Sequence, residues 1–102
     1  MKQMEPIDIR KEIKFNREGV SPIFLYVSDK MRIPLLCLEA GQEIPAHASA
    51  EGLFYVVEGS AIFTLGEEKM DIGPGTLVIA SAGAIRGIKS KERLVVIAVQ
   101  AF

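Results

Sequence analysis

The stretch Gly41–Ser49, GQEIPAHAS, contains the only histidine of the chain, His47, and opens a region in which glycines punctuate short apolar segments. Gly59 follows ten residues after the end of this stretch, and Gly75 and Gly83 come further on. Glycine is favoured where the backbone takes a positive φ, as tight turns and barrel corners require. The glycines therefore predict the turns of a β-rich domain, and they explain the fold rather than an activity.

The segments between these turns are rich in Val, Ile, Leu, Phe and Tyr, which favour strands. No window longer than about ten residues has the 3.6-residue period of an amphipathic helix. The predicted strands are residues 23–28, 32–39, 53–58, 60–66, 76–80, 84–88 and 93–101. Several short strands at this spacing predict an all-β sandwich or barrel.

A chain of 102 residues, 49% of them hydrophobic, is large enough for one core and too small for a second. Residues 23–102 are predicted to form a single barrel domain, and residues 1–22 an N-terminal edge strand or arm. Apolar residues of the arm recur two apart, which favours a strand, although residues 10–12 also suit a helix. These apolar pairs are Ile7 with Ile9 and Ile13 with Phe15.

Charge and composition exclude several classes of partner. The net charge is −1, with basic and acidic residues mixed along the chain, so no continuous positive surface is available for nucleic acid. The polar N-terminus lacks the apolar stretch of a signal peptide, and no apolar run approaches the roughly 20 residues that span a bilayer. The sequence predicts a soluble, cytoplasmic protein without a membrane partner.

Cys37 is the only cysteine, so the chain forms no internal disulfide and no cysteine-pair zinc site. It lies within an apolar stretch, which predicts a small buried side chain.

Two predicted strands are apolar at consecutive positions, residues 53–57 and 94–99. Side chains alternate between the two faces of a strand, so such runs need cover on both sides. The barrel interior covers one face. A second sheet or another subunit must cover the other, and the sequence predicts a homodimer; a sandwich whose sheets cover each other fully is the alternative.

From about residue 36 to residue 99 the chain resembles the cupin family. The first cupin motif is a glycine, five residues, His-x-His, three or four residues, a glutamate, six residues and a glycine. Gly41, His47 and Gly59 match it, and Ser49 stands in place of the second histidine. Counting back from Gly59 places Gly52 at the glutamate position, with Glu51 just before it as a possible substitute.

The second cupin motif is a glycine, five residues, Pro-x-Gly, two residues, a histidine, three residues and an asparagine. Gly75 and Gly83 occupy its glycine positions. Ser81 replaces the proline, Arg86 the histidine and Ser90 the asparagine. The resemblance implies a double-stranded β-helix, a form of jelly roll, with a ligand or metal pocket inside one end of the barrel.

A typical cupin metal centre resembles three histidines and a carboxylate around a transition metal. This chain keeps His47, and Glu51 is the only other candidate, so a single divalent metal, if bound, would rest on these two residues. Ser49 is a poor ligand, and the permanent cation of Arg86 repels a divalent ion by about 8 kcal/mol at 4 Å and an effective dielectric near 20. No cofactor is therefore expected.

The residues at these motif positions could also form a binding site without a metal. If the strand runs on past His47, then His47, Ser49 and Glu51 share one face, and Arg86 would face the same interior. Tyr55 either directs its hydroxyl into the barrel or is a core residue whose hydroxyl is hydrogen-bonded. Arg86 would pair with Glu51 or grip an anion with two parallel hydrogen bonds. His47 and Arg86 also have plain structural interpretations, as a hydrogen-bonded residue and as a solvated or ion-paired side chain.

Three functions remain open on the sequence. The first is a small-molecule-binding cupin that holds a polar or anionic metabolite through His47, Ser49, Glu51, Arg86 and Tyr55. The second is an enzyme that uses His47, either as a metal-dependent oxygenase or isomerase or as a metal-free epimerase with His47 near Glu51 as base. The third is a protein-interaction or sensory module whose pocket has no role. The sequence favours the binder.

Overall fold

The structure is a computed structural model that describes residues 5–102, and it consists of two antiparallel sheets packed face to face. Its elements are α1 (Ile9–Glu12), β1 (Ile23–Val27), β2 (Met31–Leu38), β3 (Glu43–Ala48), β4 (Glu51–Glu58), β5 (Ala61–Leu65), β6 (Glu68–Ile72), β7 (Leu77–Ala80), β8 (Ile85–Ser90) and β9 (Leu94–Ala101). The first sheet has the order β1-β2-β9-β4-β7 and the second β3-β8-β5-β6. The predicted all-β, double-stranded β-helix (jelly-roll) barrel is confirmed.

All seven predicted strands form, and two further strands, β3 and β6, are not predicted by the sequence pattern. β6 is mostly polar, and its charged residues favour a hairpin loop when only the sequence is considered. β3 contains a proline and only one partly buried side chain, Ile44, so neither strand carries the apolar alternation that identifies the others.

The core of the barrel lies between the inner faces of the two sheets. Phe54 of β4 and Phe63 of β5 meet edge to face there, with ring centroids 5.1 Å apart. Such pairs add to the stabilisation that comes from burying the rings. The inner faces also carry fully buried aliphatic side chains, among them Leu38, Val56 and Val96.

The N-terminal segment packs on the outer face of the first sheet. Ile9, Ile13 and Phe15 cover a second cluster formed by Leu35, Cys37 and Val95. This cover explains why β2 is buried at five consecutive positions. It also explains why Cys37 is buried as predicted, and burial raises the pKa of its thiol.

The predicted N-terminal edge strand is wrong for the described part of the arm; residues 1–4 lie outside it. Residues 9–12 form a single helical turn. Asp8 caps the start of this turn, because its Oδ1 accepts a hydrogen bond from the backbone amide of Arg10 at 3.1 Å. The helical alternative for residues 10–12 is the one that the structure adopts. None of the helices in residues 5–102 is long and apolar enough to cross a membrane.

Beyond the arm, the outer face of the first sheet carries uncovered apolar side chains, which we call the outer patch. Leu53 lies between Ile79 and Val99 on neighbouring strands, and Tyr55 pairs with Leu77 in the next row. Ile79 is 65% exposed, Leu77 53% and Tyr55 41%. The arm therefore covers only part of the outer face of the strands that are apolar on both sides.

Candidate functional site

A cavity of about 160 Å³ opens between the two sheets at one end of the barrel. Its wall is mostly apolar, and four polar residues complete it: His47, Ser49, Arg86 and Gln100. The other lining residues are Pro22, Phe24, Pro34, Leu36, Ile44, Phe54, Gly87, Ile88 and Ala98. No carboxylate is among the lining residues in the described part of the chain.

His47 reaches the cavity through an irregularity in β3. Ile44 pairs with Ile88 and His47 with Arg86, so three steps along β3 match two along β8. Without this bulge, the alternation of side chains would put Ile44 and His47 on opposite faces. With it, both line the cavity.

Gly87 makes the bulge possible. A Cβ at this position would lie 2.8 Å from the backbone nitrogen of Ala46 and 3.0 Å from the carbonyl oxygen of Ile44. Real Cβ atoms do not approach backbone this closely, so only glycine accommodates the bulged segment of β3 here. Gly87 therefore positions His47 although it contributes no polar group itself.

The imidazole of His47 is held in one tautomer. Its Nδ1 lies 2.8 Å from the carbonyl oxygen of Pro45. A carbonyl oxygen only accepts hydrogen bonds, so Nδ1 carries the hydrogen, and the neutral ring keeps the lone pair on Nε2. His47 is exposed at the opening, and Nε2 can accept a hydrogen bond or a proton there.

Arg86 is 3% exposed, and its guanidinium is hydrogen-bonded to backbone carbonyls. Nε donates to Ala84 at 2.9 Å and Nη2 to Ser81 at 2.9 Å and to Ser49 at 3.3 Å, while Nη1 donates to Ala50. These bonds join the turn between β3 and β4 to the turn between β7 and β8. Four of the five N–H groups of Arg86 thus have partners within the fold.

This arrangement corrects two predictions for Arg86. Arg86 makes no ion pair with Glu51 or any other carboxylate of residues 5–102. Its donors are also not available to grip an anion with two parallel bonds. What Arg86 brings to the cavity wall is a buried positive charge.

Ser49 and Gln100 form a pair at the cavity wall. Nε2 of Gln100 donates to the hydroxyl oxygen of Ser49 at 3.1 Å. Gln100 is not among the residues that the sequence predicts for the site. The sequence does contain a pattern that indicates Gln100. Every second residue of β9 points inward, and Gln100 is the first polar residue in this series, after Leu94, Val96 and Ala98.

Glu51 and Tyr55, both predicted site residues, lie outside the cavity. The strand does not run on past Ala48: residues 49 and 50 form a break, and Glu51 starts β4 in the other sheet, exposed. Tyr55 belongs to the outer patch. Gly52, at the glutamate position of the motif, carries no side chain, and a Cβ there would overlap the carbonyl oxygen of Val99.

The four positions that hold the metal in typical cupins are therefore occupied by an imidazole, a hydroxyl, a bare backbone and a guanidinium engaged with carbonyls. This donor set does not fit the usual metal centre. Among the described residues, no three side chains of His, Cys, Asp or Glu are grouped closely enough to hold an ion.

Comparisons with known proteins agree with this architecture. A family model described as the cupin domain matches residues 34–100. No curated protein matches the sequence significantly.

Several solved structures are similar over nearly the whole chain. The TT1209 protein of Thermus thermophilus is 27% identical with a TM-score of 0.90, over 96% of this chain and 97% of that one. An RmlC-like cupin protein of Desulfovibrio desulfuricans is 20% identical with a TM-score of 0.87, over 97% of each chain. KdgF of Halomonas sp. is 18% identical with a TM-score of 0.79, over 97% of this chain and 96% of that one.

Proposed function

The chain belongs to the cupin family, and we propose that it binds a small organic molecule with a polar or anionic group in the barrel cavity. The observation that carries this proposal is the composition of the cavity wall. Apolar side chains surround most of it, and His47, Ser49, Arg86 and Gln100 are its polar members. A mostly apolar pocket with a few convergent polar groups is the usual form of a small-molecule site.

The size of the cavity limits the part of the ligand that enters it. About 160 Å³ is close to the roughly 150 Å³ of an engineered cavity that holds benzene. Many ligand pockets are larger, at about 300–1,000 Å³. The inserted group is therefore about the size of one six-membered ring.

The charge of the wall favours an anion. Arg86 is buried there without a carboxylate partner in residues 5–102, and the lining includes no acidic residue. At 8 Å and an effective dielectric of about 20, a single positive charge attracts an anion by about 2 kcal/mol. Direct hydrogen bonds to the ligand would come from His47, Ser49 and Gln100.

An enzyme that uses His47 as a base is the second candidate. It is favoured by the bond from Nδ1 to the carbonyl of Pro45, which leaves Nε2 as the proton acceptor of the neutral ring. The partner predicted for His47, Glu51, lies outside the cavity. We therefore place binding ahead of catalysis, and turnover of a bound ligand that is lost in His47→Ala would reverse this order.

A thermal-shift screen tests the proposed site. Small organic molecules of ten or fewer heavy atoms, in anionic, neutral and cationic sets, are expected to include ligands that raise the melting temperature. A ligand at 100 times its dissociation constant stabilises the fold by about 2.7 kcal/mol. Ala98→Leu, which fills the cavity, should abolish the shift, whereas Glu68→Ala, on exposed β6, should leave it intact. Shifts that persist in Ala98→Leu would place the ligand elsewhere and contradict the proposal.

We also propose that a second copy of the chain covers the outer patch. Its apolar rows run to β7, the edge strand of the first sheet, so a two-fold axis at this edge would bring two identical patches together. An uncovered apolar face of this kind marks an interaction surface.

Light scattering at micromolar concentration is expected to give the mass of a dimer. Ile79→Glu places a charge at the β7 edge of the outer patch, where the proposed two-fold axis would bring the two copies together. It should give a monomer because a buried unpaired charge opposes association. The matched control is Ile85→Glu, an exposed isoleucine on the other sheet, which should remain dimeric. A monomeric wild-type chain would contradict the proposal.

A further inference from the structure

We propose that Arg32 at the mouth of the barrel binds the carboxylate of the ligand while the apolar body of that ligand fills the cavity. This inference rests on the proposed binding function and specifies the ligand class as small apolar carboxylic acids. Arg32 thereby takes the anion-binding role that the sequence predicts for Arg86.

The register of the first sheet places Arg32 above the cavity. Pro34 of β2 lines the cavity, and Arg32 lies two residues before it, on the same face of the strand. Arg32 is also directly opposite Gln100 of β9, a cavity residue. The row formed by Arg32 and Gln100 is therefore the next layer outward, at the open end of the barrel.

Two aromatic rings hold the guanidinium of Arg32. Its Cζ lies 5.8 Å from the ring centroid of Phe24 and 5.1 Å from that of Phe102. Phe24 itself lines the cavity, so these contacts place the cation beside the opening. Stacking on aromatic rings leaves the edge of a guanidinium free for hydrogen bonds, because the donors lie in its plane.

Arg32 differs from Arg86 in what its donors do. Within residues 5–102, the guanidinium of Arg32 has neither a hydrogen bond nor an ion pair, and the side chain is exposed. A planar guanidinium with free donors matches the two oxygens of a carboxylate. Arg32 can therefore provide two parallel hydrogen bonds at the mouth, while the buried charge of Arg86 supports the anion from inside.

The cavity selects the body of the ligand. Its wall below the mouth is formed by apolar side chains such as Leu36, Ile44 and Phe54, which favour a hydrocarbon group. Ser49 and Gln100 lie beside the opening and can add hydrogen bonds to a carboxylate oxygen. Two cations, Arg32 and Arg86, lie beside a small apolar space, and no residue that lines it within residues 5–102 is acidic. This combination fits a monocarboxylate with a ring-sized body.

Benzoate and benzamide form a matched pair of probes, since they have nearly the same shape and differ in charge. We expect calorimetry at low salt to show that benzoate binds at least about tenfold more tightly than benzamide, as two charge-assisted hydrogen bonds would give. This preference should decrease as salt is added. Arg32→Met should remove the preference for benzoate while benzamide binding stays within about twofold.

The controls separate this inference from the proposed function. Arg17→Met removes a cation near Glu39, at the other end of β2, and should keep the preference. Arg32→Lys keeps the charge without the planar fork, and should retain only part of the preference. If benzoate binds in the cavity and Arg32→Met leaves its affinity unchanged, the role of Arg32 is overturned and the binding function stands. Tighter binding of benzamide overturns the carboxylate preference, and binding of neither probe overturns both the carboxylate class and its Arg32 contact.

Discussion

Replacement of Gly59 with alanine is expected to destabilise the fold by about 4 kcal/mol or more. Gly59 follows β4 and has φ +87°, a backbone conformation that costs L-residues about 1–2 kcal/mol. A Cβ there would also overlap the carbonyl oxygen of Arg93 and lie 2.8 Å from the Cα of Leu94. Both obstacles are backbone atoms, so relief requires the chain at the start of β9 to move away from β4.

Gly75→Ala is the matched control for this prediction. Gly75 has φ +84°, nearly the same backbone strain, but a Cβ added there would have no other atom within 4 Å. It should lose about 1–2 kcal/mol in urea unfolding followed by circular dichroism. The difference between the two variants measures the overlap with β9 alone. Equal losses in the two variants would show that close approach to Arg93 is unimportant.

The glycine spacing is predictive because a positive φ is a local requirement. Gly41, Gly59, Gly75 and Gly83 all have φ between +83° and +87°. Few other residues adopt this conformation, so glycine at those positions is informative without any knowledge of tertiary contacts. The strands between the turns can likewise be found from their apolar alternation. The family resemblance and the barrel follow from these two local signals.

The candidate site is less predictable because its geometry depends on two departures from regularity. The bulge in β3 turns His47 toward the cavity. A sequence pattern in which side chains alternate between the two faces of a strand does not reveal where a bulge inserts an extra residue. The break after Ala48 places Glu51 in the other sheet, away from His47. Of the five predicted site residues, His47, Ser49 and Arg86 line the cavity, while Glu51 and Tyr55 do not.

The proposed role of Arg32 cannot be predicted from the sequence, for a different reason. Nothing near it in sequence predicts that Phe24 and Phe102 will contact its guanidinium, since these rings come from opposite ends of the barrel sequence. Long-range contacts of this kind are visible only when the pairing of β1, β2 and β9 is known. The resemblance directs attention to Arg86 instead, because it occupies a metal-ligand position of the motif.

Replacement of Arg86 with methionine is expected to lower the free energy of unfolding by about 3–5 kcal/mol. Methionine keeps much of the length of the side chain but has no N–H donors. The carbonyl groups of Ser49, Ala50, Ser81 and Ala84 would lose their charged donor, the buried guanidinium of Arg86, in hydrogen bonds that are partly buried. Acceptors that lose their partners away from bulk water are costly, and hydrogen bonds from a charged group are the stronger ones.

Arg93→Met is the control that separates burial from charge. Arg93 does form an ion pair, with Nε 2.8 Å from Oε1 of Glu39, and this hydrogen bond holds the pKa of that carboxyl below its usual value. The Arg93 side chain is 65% exposed, however, so the loss of this pair should affect urea unfolding much less. Equal effects of the two substitutions would contradict the structural role of Arg86. The comparison also bears on ligand binding. If Arg86→Met loosens the turn that carries Ser49 at the end of β3, a reduced ligand affinity of that variant does not by itself demonstrate that Arg86 contacts the ligand. A reduced affinity that is seen only in Arg32→Met does demonstrate such a contact for Arg32.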